Sequence, residues 1–380
     1  MQHTSKLPNL ETTIFSVMSD LAKKHNALNL SQGFPNFKGD QKLIDLVYKA
    51  MNDGYNHYAP MLGVLKLREA IAGKYDLLYG SSYNPENEII ITSGATQAIS
   101  SAITAFVKPN DEVLVFRPAY DCYIPTIELN GGKAISVQLN TPNFKVNWQE
   151  VEQKMNSKTK MIIINTPHNP SGTVFSKDDM LQLQELTRNT NIVVLSDEVY
   201  EHIIFDNEKH QSVCLFPDLK SRSFITASFG KTFHNTGWRV GYCCAPKDLM
   251  KEFIKIHEFS VFSINHPTQV ALAEYLKQPN HYLELSGLFQ QKRDLFLDLI
   301  EGSRFKFTPS KGTYFQSLDY SQISNENDFD FAVRLTKENK IASIPTSVFN
   351  EHKVNHKMLR FCFAKTNDTL KIGAEILCRI

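Results

Sequence analysis

The sequence predicts an α/β fold: a large domain built on a mostly parallel sheet with helices on both faces, and a smaller α+β domain. Three observations predict it. Short, nearly continuous β-branched runs recur through the middle of the 380 residues. Stretches of helical spacing separate them. The small-residue loops follow the runs, where an open α/β sheet places its ligands.

The elements follow in order. Glu88–Thr92 (EIIIT) reads as a strand, because a strand buried on both faces loses the alternation of a half-exposed one. Ala95–Val107 reads as a buried helix, Glu112–Phe116 (EVLVF) as a second strand and Met161–Asn165 (MIIIN) as a third. Lys177–Asn189 has helical spacing, and Ile192–Ser196 (IVVLS) closes that unit as a strand. Ser223–Ser228 and Val240–Ala245 continue the sheet. A long helical stretch, Pro279–Gly302, then leads into Arg304–Ile380, which has α+β character. No repeat, low-complexity tract or Gly/Ser linker marks a boundary, so the division comes from pattern. It gives a large domain at 45–280 and a small one from 1–44 together with 281–380.

Composition narrows the function classes. With 41 Lys plus Arg against 40 Asp plus Glu, the net charge is +1, and nothing draws the molecule to nucleic acid or anionic membranes. The six cysteines form no CxxC pair and no short disulfide framework, which suits a reducing compartment. Met1–Leu10 is polar, without the apolar stretch of a signal peptide, and no run is long enough to span a bilayer. These features imply a cytoplasmic protein acting on small molecules.

Four loops carry the chemistry. Thr92-Ser93-Gly94-Ala95-Thr96-Gln97 joins a strand to a helix, where exposed N–H groups and the helix dipole suit an anion; Ser93 as a simple N-cap is the alternative. Asn165–Gly172 (NTPHNPSG) is an irregular turn in which Asn169 either points into the crevice or closes its own loop. Asp197 leaves a hydrophobic strand in SDEVY. A buried carboxylate needs a partner, such as a protonated pyridine nitrogen, unless it caps the following segment. Ser228–Arg239 (SFGKTFHNTGWR) holds one lysine, Lys231, among small residues, with Ser228 and Arg239 as hydroxyl and guanidinium. Pyridoxal 5′-phosphate (PLP) chemistry needs that set: an amine for an imine, and phosphate ligands. A lysine's reference pKa near ~10.4 makes it a poor nucleophile, so the site must favour the neutral amine. An exposed structural lysine is the ordinary alternative, and here the neighbours argue against it.

With these loops in order, the sequence resembles the class I/II aminotransferases of PLP fold type I, nearly end to end. Within them it is most like bacterial methionine aminotransferases and the kynurenine aminotransferase/glutamine transaminase K group. The stretches that carry the resemblance include LPNLETTIFSVMSDLA, LNLSQGFPNF, NHYAPMLGVLKLREAIA, NTPHNPSG, SDEVYEHI, SFGKTFHNTGWRVGY and LRFCFAK. The resemblance implies that Lys231 carries the cofactor as an imine and then acts as the general base. Asp197 would pair with the pyridinium nitrogen, Asn169 and Tyr200 would bond the ring's phenolic oxygen, and Tyr120 would stack on the ring face. Ala95, Thr96, Ser228 and Arg239 would hold the phosphate. Tyr58 would reach the phosphate of the neighbouring subunit, making a homodimer part of the site. Arg360 would grip the substrate carboxylate, helped by Asn169 and the Gly33 backbone; from the residues alone, a buried ion pair explains Arg360 too.

Phe15, Phe34, Tyr120 and Phe262 are pocket candidates, which favours methionine or an aromatic amino acid over a dicarboxylate. The rival reaction is transamination of kynurenine or glutamine with β-elimination from cysteine conjugates. A ligand-sensing transcriptional regulator on the same fold would need an additional basic helix-turn-helix. His352 and His356 have a suggestive spacing for a metal, but their segment is polar and loop-like, and no metal is expected.

Overall fold

The β-branched runs become strands because both faces of the sheet they form are covered. The computed structural model describes residues 4–8 and 10–380; residues 1–3 and Asn9, which belong to the Met1–Leu10 stretch and the LPNLETT motif, lie outside the described residues. Among the described residues the large sheet has seven strands: β1 (Ile89–Thr92), β2 (Glu112–Arg117), β3 (Lys133–Gln138), β4 (Thr159–Asn165), β5 (Val193–Asp197), β6 (Ser223–Ser228) and β7 (Gly241–Cys244). Their spatial order is β1-β7-β6-β5-β4-β2-β3, and only β7 runs antiparallel to its neighbours.

Alternate residues of each strand enter two separate cores. Ile90, Val113, Val115, Met161, Ile163 and Leu195 face one, while Ile89, Ile91, Leu114, Ile162, Ile164 and Val194 face the other. Taking α1 as Ile14–Lys24, the first core is covered by α2 (Gly94–Phe106), through Ala98, Ile99, Ala102 and Ile103, and by Met250 and Phe253 of a later helix (Lys247–Ser260). This double burial is why the runs show no alternation.

Two features depart from the pattern read in the sequence. β3 was not recognisable, because KAISVQ lies at the sheet edge with its first residue exposed and its burial incomplete. The stretch Pro279–Gly302 is not one helix; a short helix at Asn280–Leu283 precedes Leu285–Ile300, with Glu284 between them.

Beyond the sheet, β8 (Phe315–Asp319), β9 (Ile344–Pro345) and β10 (Met358–Cys362) form an antiparallel sheet in the order β9-β10-β8. Leu28–Asn29 pairs in parallel with Ile341–Ala342. The N-terminal segment is thus tied to the C-terminal one, and residues some three hundred positions apart share a wall.

Candidate active site

Six of the seven strands point the same way, so their carboxyl ends share one edge. The loops leaving that edge meet around a cavity of about 280 Å³ that Lys231, Asp197, Arg239 and Arg360 all line.

One end of the cavity is shaped by missing side chains. Gly94, at φ +69, turns the chain from β1 into α2. A Cβ there would sit 2.7 Å from Arg239 Nη2, and one on Gly241 would sit 2.6 Å from the Ala227 carbonyl oxygen and 3.0 Å from Ala95 N. Glycine at both positions lets the guanidinium and the helix start close on the same spot. Ala95, Thr96 and Ser228 line it as well. Ser93 stands at the N-cap position without a side-chain cap bond; its N–H donates to Gln97 Oε1 at 3.1 Å. Helix N–H groups, a hydroxyl and a guanidinium converging here suit a phosphate.

At the other end, Asp197 closes β5 and is 3% exposed. Its Oδ2 accepts from the Tyr123 hydroxyl at 2.5 Å, and its Oδ1 from the Val199 N–H at 3.3 Å. Burial lifts the carboxyl to about 6, against the pull of Tyr123 and Val199. Asp197 therefore both caps the following turn and faces the cavity. Tyr123 carries no sequence signal of this role: it lies in a short helix, Tyr123–Leu129, and the fold brings it to Asp197 and packs it against Tyr120 at 5.8 Å.

Between the two ends stands Lys231. Its Nζ donates to the Gly33 carbonyl at 3.1 Å and lies 5.9 and 5.7 Å from the ring centroids of Tyr200 and Tyr314. Burial, with Arg360 and Arg239 nearby, lowers its pKa to about 8. A group with that pKa is neutral in about a tenth of molecules at pH 7, where an ordinary lysine is almost wholly charged. Tyr200 is buried edge-on to Tyr314, at 5.1 Å, and burial holds its phenol well above the ordinary range.

Arg360 forms the remaining wall at 1% exposure. Nη1 donates to Asn169 Oδ1 at 2.7 Å and Nη2 to the Ser31 carbonyl at 3.1 Å, while the guanidinium lies 3.8 Å from the Phe315 ring centroid. Among the described residues no carboxylate lies within 4.0 Å of it, so the buried ion pair is absent. Burial lowers its pKa to about 10, which leaves it charged at neutral pH.

In the loop Asn165–Gly172 the two expected roles fall on different residues. Asn165 closes the turn, its Oδ1 accepting from Asn169 N at 2.8 Å, and frees Asn169 to face Arg360. His168 fixes the loop further. Its Nε2 lies 2.9 Å from the Pro118 carbonyl, which can only accept, so Nε2 carries the proton and Nδ1 accepts from Ser171 Oγ at 2.6 Å. Burial lowers its pKa to about 4, in keeping with a neutral ring.

Phe15, Phe34, Tyr120 and the Gly33 backbone line the cavity as expected. Phe262 does not. It follows the end of the helix Lys247–Ser260 at φ +66 and turns outward, 47% exposed, to meet Tyr58 edge-on at 5.5 Å. Tyr58 is also outside its own chain's cavity and is 84% exposed. A larger crevice of about 870 Å³ opens on the far side of the Asn165–Thr173 loop, but none of the site residues lines it. Among the described residues, no three His, Cys, Asp or Glu side chains group as metal ligands, and no helix is long and apolar enough to cross a membrane. His352 is exposed in a short turn.

The family model for aminotransferase class I and II matches residues 25–377. The chain belongs to that family. It is an aminotransferase, and the family's cofactor is pyridoxal 5′-phosphate. It is 46% identical to the methionine aminotransferase of Escherichia coli K12 over 374 residues, 98% of this chain and 97% of the relative. A kynurenine–oxoglutarate transaminase of Dictyostelium discoideum is 32% identical, covering all of this chain and 98% of the relative. An E. coli crystal structure described as having a methionine aminotransferase function superposes with a TM-score of 0.98 over the full length of both chains, at 46% identity. The residues lining the cavity fit the cofactor: anion donors at one end, a carboxylate at the other and an amine between them.

Proposed function

We propose that this aminotransferase moves the amino group of methionine, and of aromatic amino acids, to a 2-oxo acid. The observation that carries the reading is Arg360, a buried guanidinium that opens onto the cavity of Lys231 and Asp197 and pairs with no carboxylate of the described residues. Leaving such a charge without an anion is costly, and the carboxylate of an amino acid supplies one with two parallel hydrogen bonds. Besides Asp197, Lys231, Arg239 and Arg360, no charged side chain lines the cavity among the described residues. The space beside Phe15, Phe34 and Tyr120 therefore suits an apolar or aromatic side chain better than a second carboxylate. The similarity to the E. coli enzyme favours methionine among these.

Lys231 would hold the cofactor, with Ala95, Thr96, Ser228 and Arg239 on its phosphate, Asp197 on its ring nitrogen, Asn169 and Tyr200 on its phenolic oxygen and Tyr120 against its face. When bound, the cofactor supplies the carbonyl carbon that takes the amino group and a ring that accepts the electron pair of the Cα–H bond. Asp197, ionised against a positive partner, keeps that ring nitrogen protonated. Arg360 and Asn169 fix the substrate carboxylate and so set the direction of the Cα–H bond. Lys231 Nζ takes the Cα proton and returns it at the neighbouring carbon. The rings of Phe15, Phe34, Tyr200 and Phe315 line the space around the reacting atoms.

We also assign residues 45–280 to the large domain and 1–44 with 281–380 to the small one, in a cytoplasmic homodimer. The exposed Tyr58 would reach the phosphate of the partner's site. The test is turnover of purified enzyme with a series of amino donors and 2-oxo acid acceptors. Methionine should exceed aspartate; faster aspartate turnover refutes the substrate assignment.

A further inference from the structure

Four successive carbonyls, from Ser31 to Phe34, each accept from a buried donor. The Ser31 oxygen takes Arg360 Nη2 at 3.1 Å, and the Gly33 oxygen takes Lys231 Nζ at 3.1 Å and the Tyr314 hydroxyl at 2.6 Å. The oxygens of Gln32 and Phe34 both take Lys365 Nζ, at 3.3 and 2.8 Å. Lys365 is 3% exposed, and among the described residues it has no carboxylate within 4.0 Å; its charge faces these two carbonyls and, at 5.0 Å, the ring of Phe34. On either side, Leu30 O accepts from Cys362 N at 2.8 Å and Asn36 Oδ1 from Thr366 N at 2.7 Å. One short segment, residues 360–366, thus grips the strap 30–36 at successive points. The strap passes close to the cavity wall, where a Cβ on Gly33 would lie 2.6 Å from the Phe315 ring.

The donors differ in what else they must do. Arg360 and Lys231 line the cavity and have partners to meet there, whereas Lys365 is absent from its lining. We infer that Lys365 is a positioning residue, the clamp that keeps the Ser31–Phe34 strap and the Gly33 backbone in register while Arg360 and Lys231 turn to substrate and cofactor. The inference rests on the reading of Arg360 as the carboxylate anchor. A buried ammonium without a carboxylate is costly to place, and two aligned carbonyls beside the substrate wall account for the placement. A lysine five residues beyond the anchoring arginine thereby becomes part of the apparatus that recognises the substrate carboxylate.

The test pairs hydrogen exchange with kinetics, on holoenzyme. In Lys365→Met, amides of residues 30–37 should exchange about tenfold faster without added amino acid, while those of β5 keep their rates. KM for methionine should rise about tenfold with kcat within about threefold, since the loss falls on substrate binding. Lys365→Arg, which can still donate to both carbonyls, should restore both properties. Unchanged exchange in the strap, equal acceleration across the whole chain, or a fall in kcat at constant KM would each overturn the clamp. If Lys365→Met does not fold, Lys365→Gln replaces it, and strap exchange as slow as in Lys365→Arg is the contrary result. Exchange confined to the strap in an enzyme that ignores methionine would uphold the clamp and count against the substrate assignment instead.

Discussion

The two ends of the active site are built in different ways. The phosphate end is gathered on one edge of the large sheet: a strand-to-helix turn, a serine at the end of β6 and an arginine that two glycines allow to approach. The carboxylate end is assembled from distant pieces. Arg360 meets Asn169 across 191 positions and Ser31 across 329, and Lys231 meets Gly33 across 198. The difference teaches where precision comes from. An anion that binds permanently is met by groups of one sheet edge, backbone N–H donors together with a hydroxyl and a guanidinium. A carboxylate that comes and goes needs an arginine held by side chains and carbonyls from separate segments.

The comparison can be broken at its hinge, the lysine that both ends share. Lys231→Ala should lower transamination by about 10⁴-fold or more, measured as kcat/KM with methionine, because the variant loses both cofactor attachment and proton transfer. Wild-type-like turnover would refute the mechanism. At the carboxylate end, Arg360→Ala should cost about 10²-fold in kcat/KM, mainly through KM, with cofactor content unchanged. Loss of cofactor instead would mean that the two ends are not separable.

Asp197 sharpens the comparison through pH. Its folded pKa, about 6, lies above the ordinary carboxylate value. A raised carboxyl pKa contributes stability that is full below the unfolded value and is lost as pH rises through the folded one. Relative to Asp197→Asn, the cofactor-free protein should therefore lose about 2–3 kcal/mol between about pH 4 and pH 6, read from paired thermal melts. A difference that stays flat with pH contradicts the buried, unpaired carboxylate. The smallest effect belongs to Tyr123. Tyr123→Phe removes the 2.5 Å bond to Asp197 and should reduce cofactor affinity about tenfold, checked by titrating apoenzyme. Unaltered affinity would mean that the hydroxyl only fills space.

What was legible in the sequence follows the same division. The strands could be read because double burial makes them continuously apolar, and the loops Ser93–Gln97 and Ser228–Arg239 because glycine, serine and a lone lysine cluster within a few residues. The edge strand β3 was not legible, since half-exposure dilutes its pattern. Asn169, Asp197 and Lys231 stand out in their loops, the resemblance gives their roles and adds Arg360, and the structure brings all four to one cavity. Tyr123, Ser31, Phe315 and Lys365 were missed because their work depends on tertiary contacts and not on spacing. Phe262 lies outside its own chain's cavity, beside Tyr58, because an aromatic after a helix end reads alike whether it turns inward or outward.

The central claim is that the amine of Lys231 carries pyridoxal 5′-phosphate, and reductive trapping tests it most directly. Holoenzyme treated with borohydride and cut into peptides should show the reduced cofactor attached at Lys231 and at no other lysine. A label on a different lysine, or an unmodified Lys231 in protein that holds its full complement of cofactor, would contradict the account.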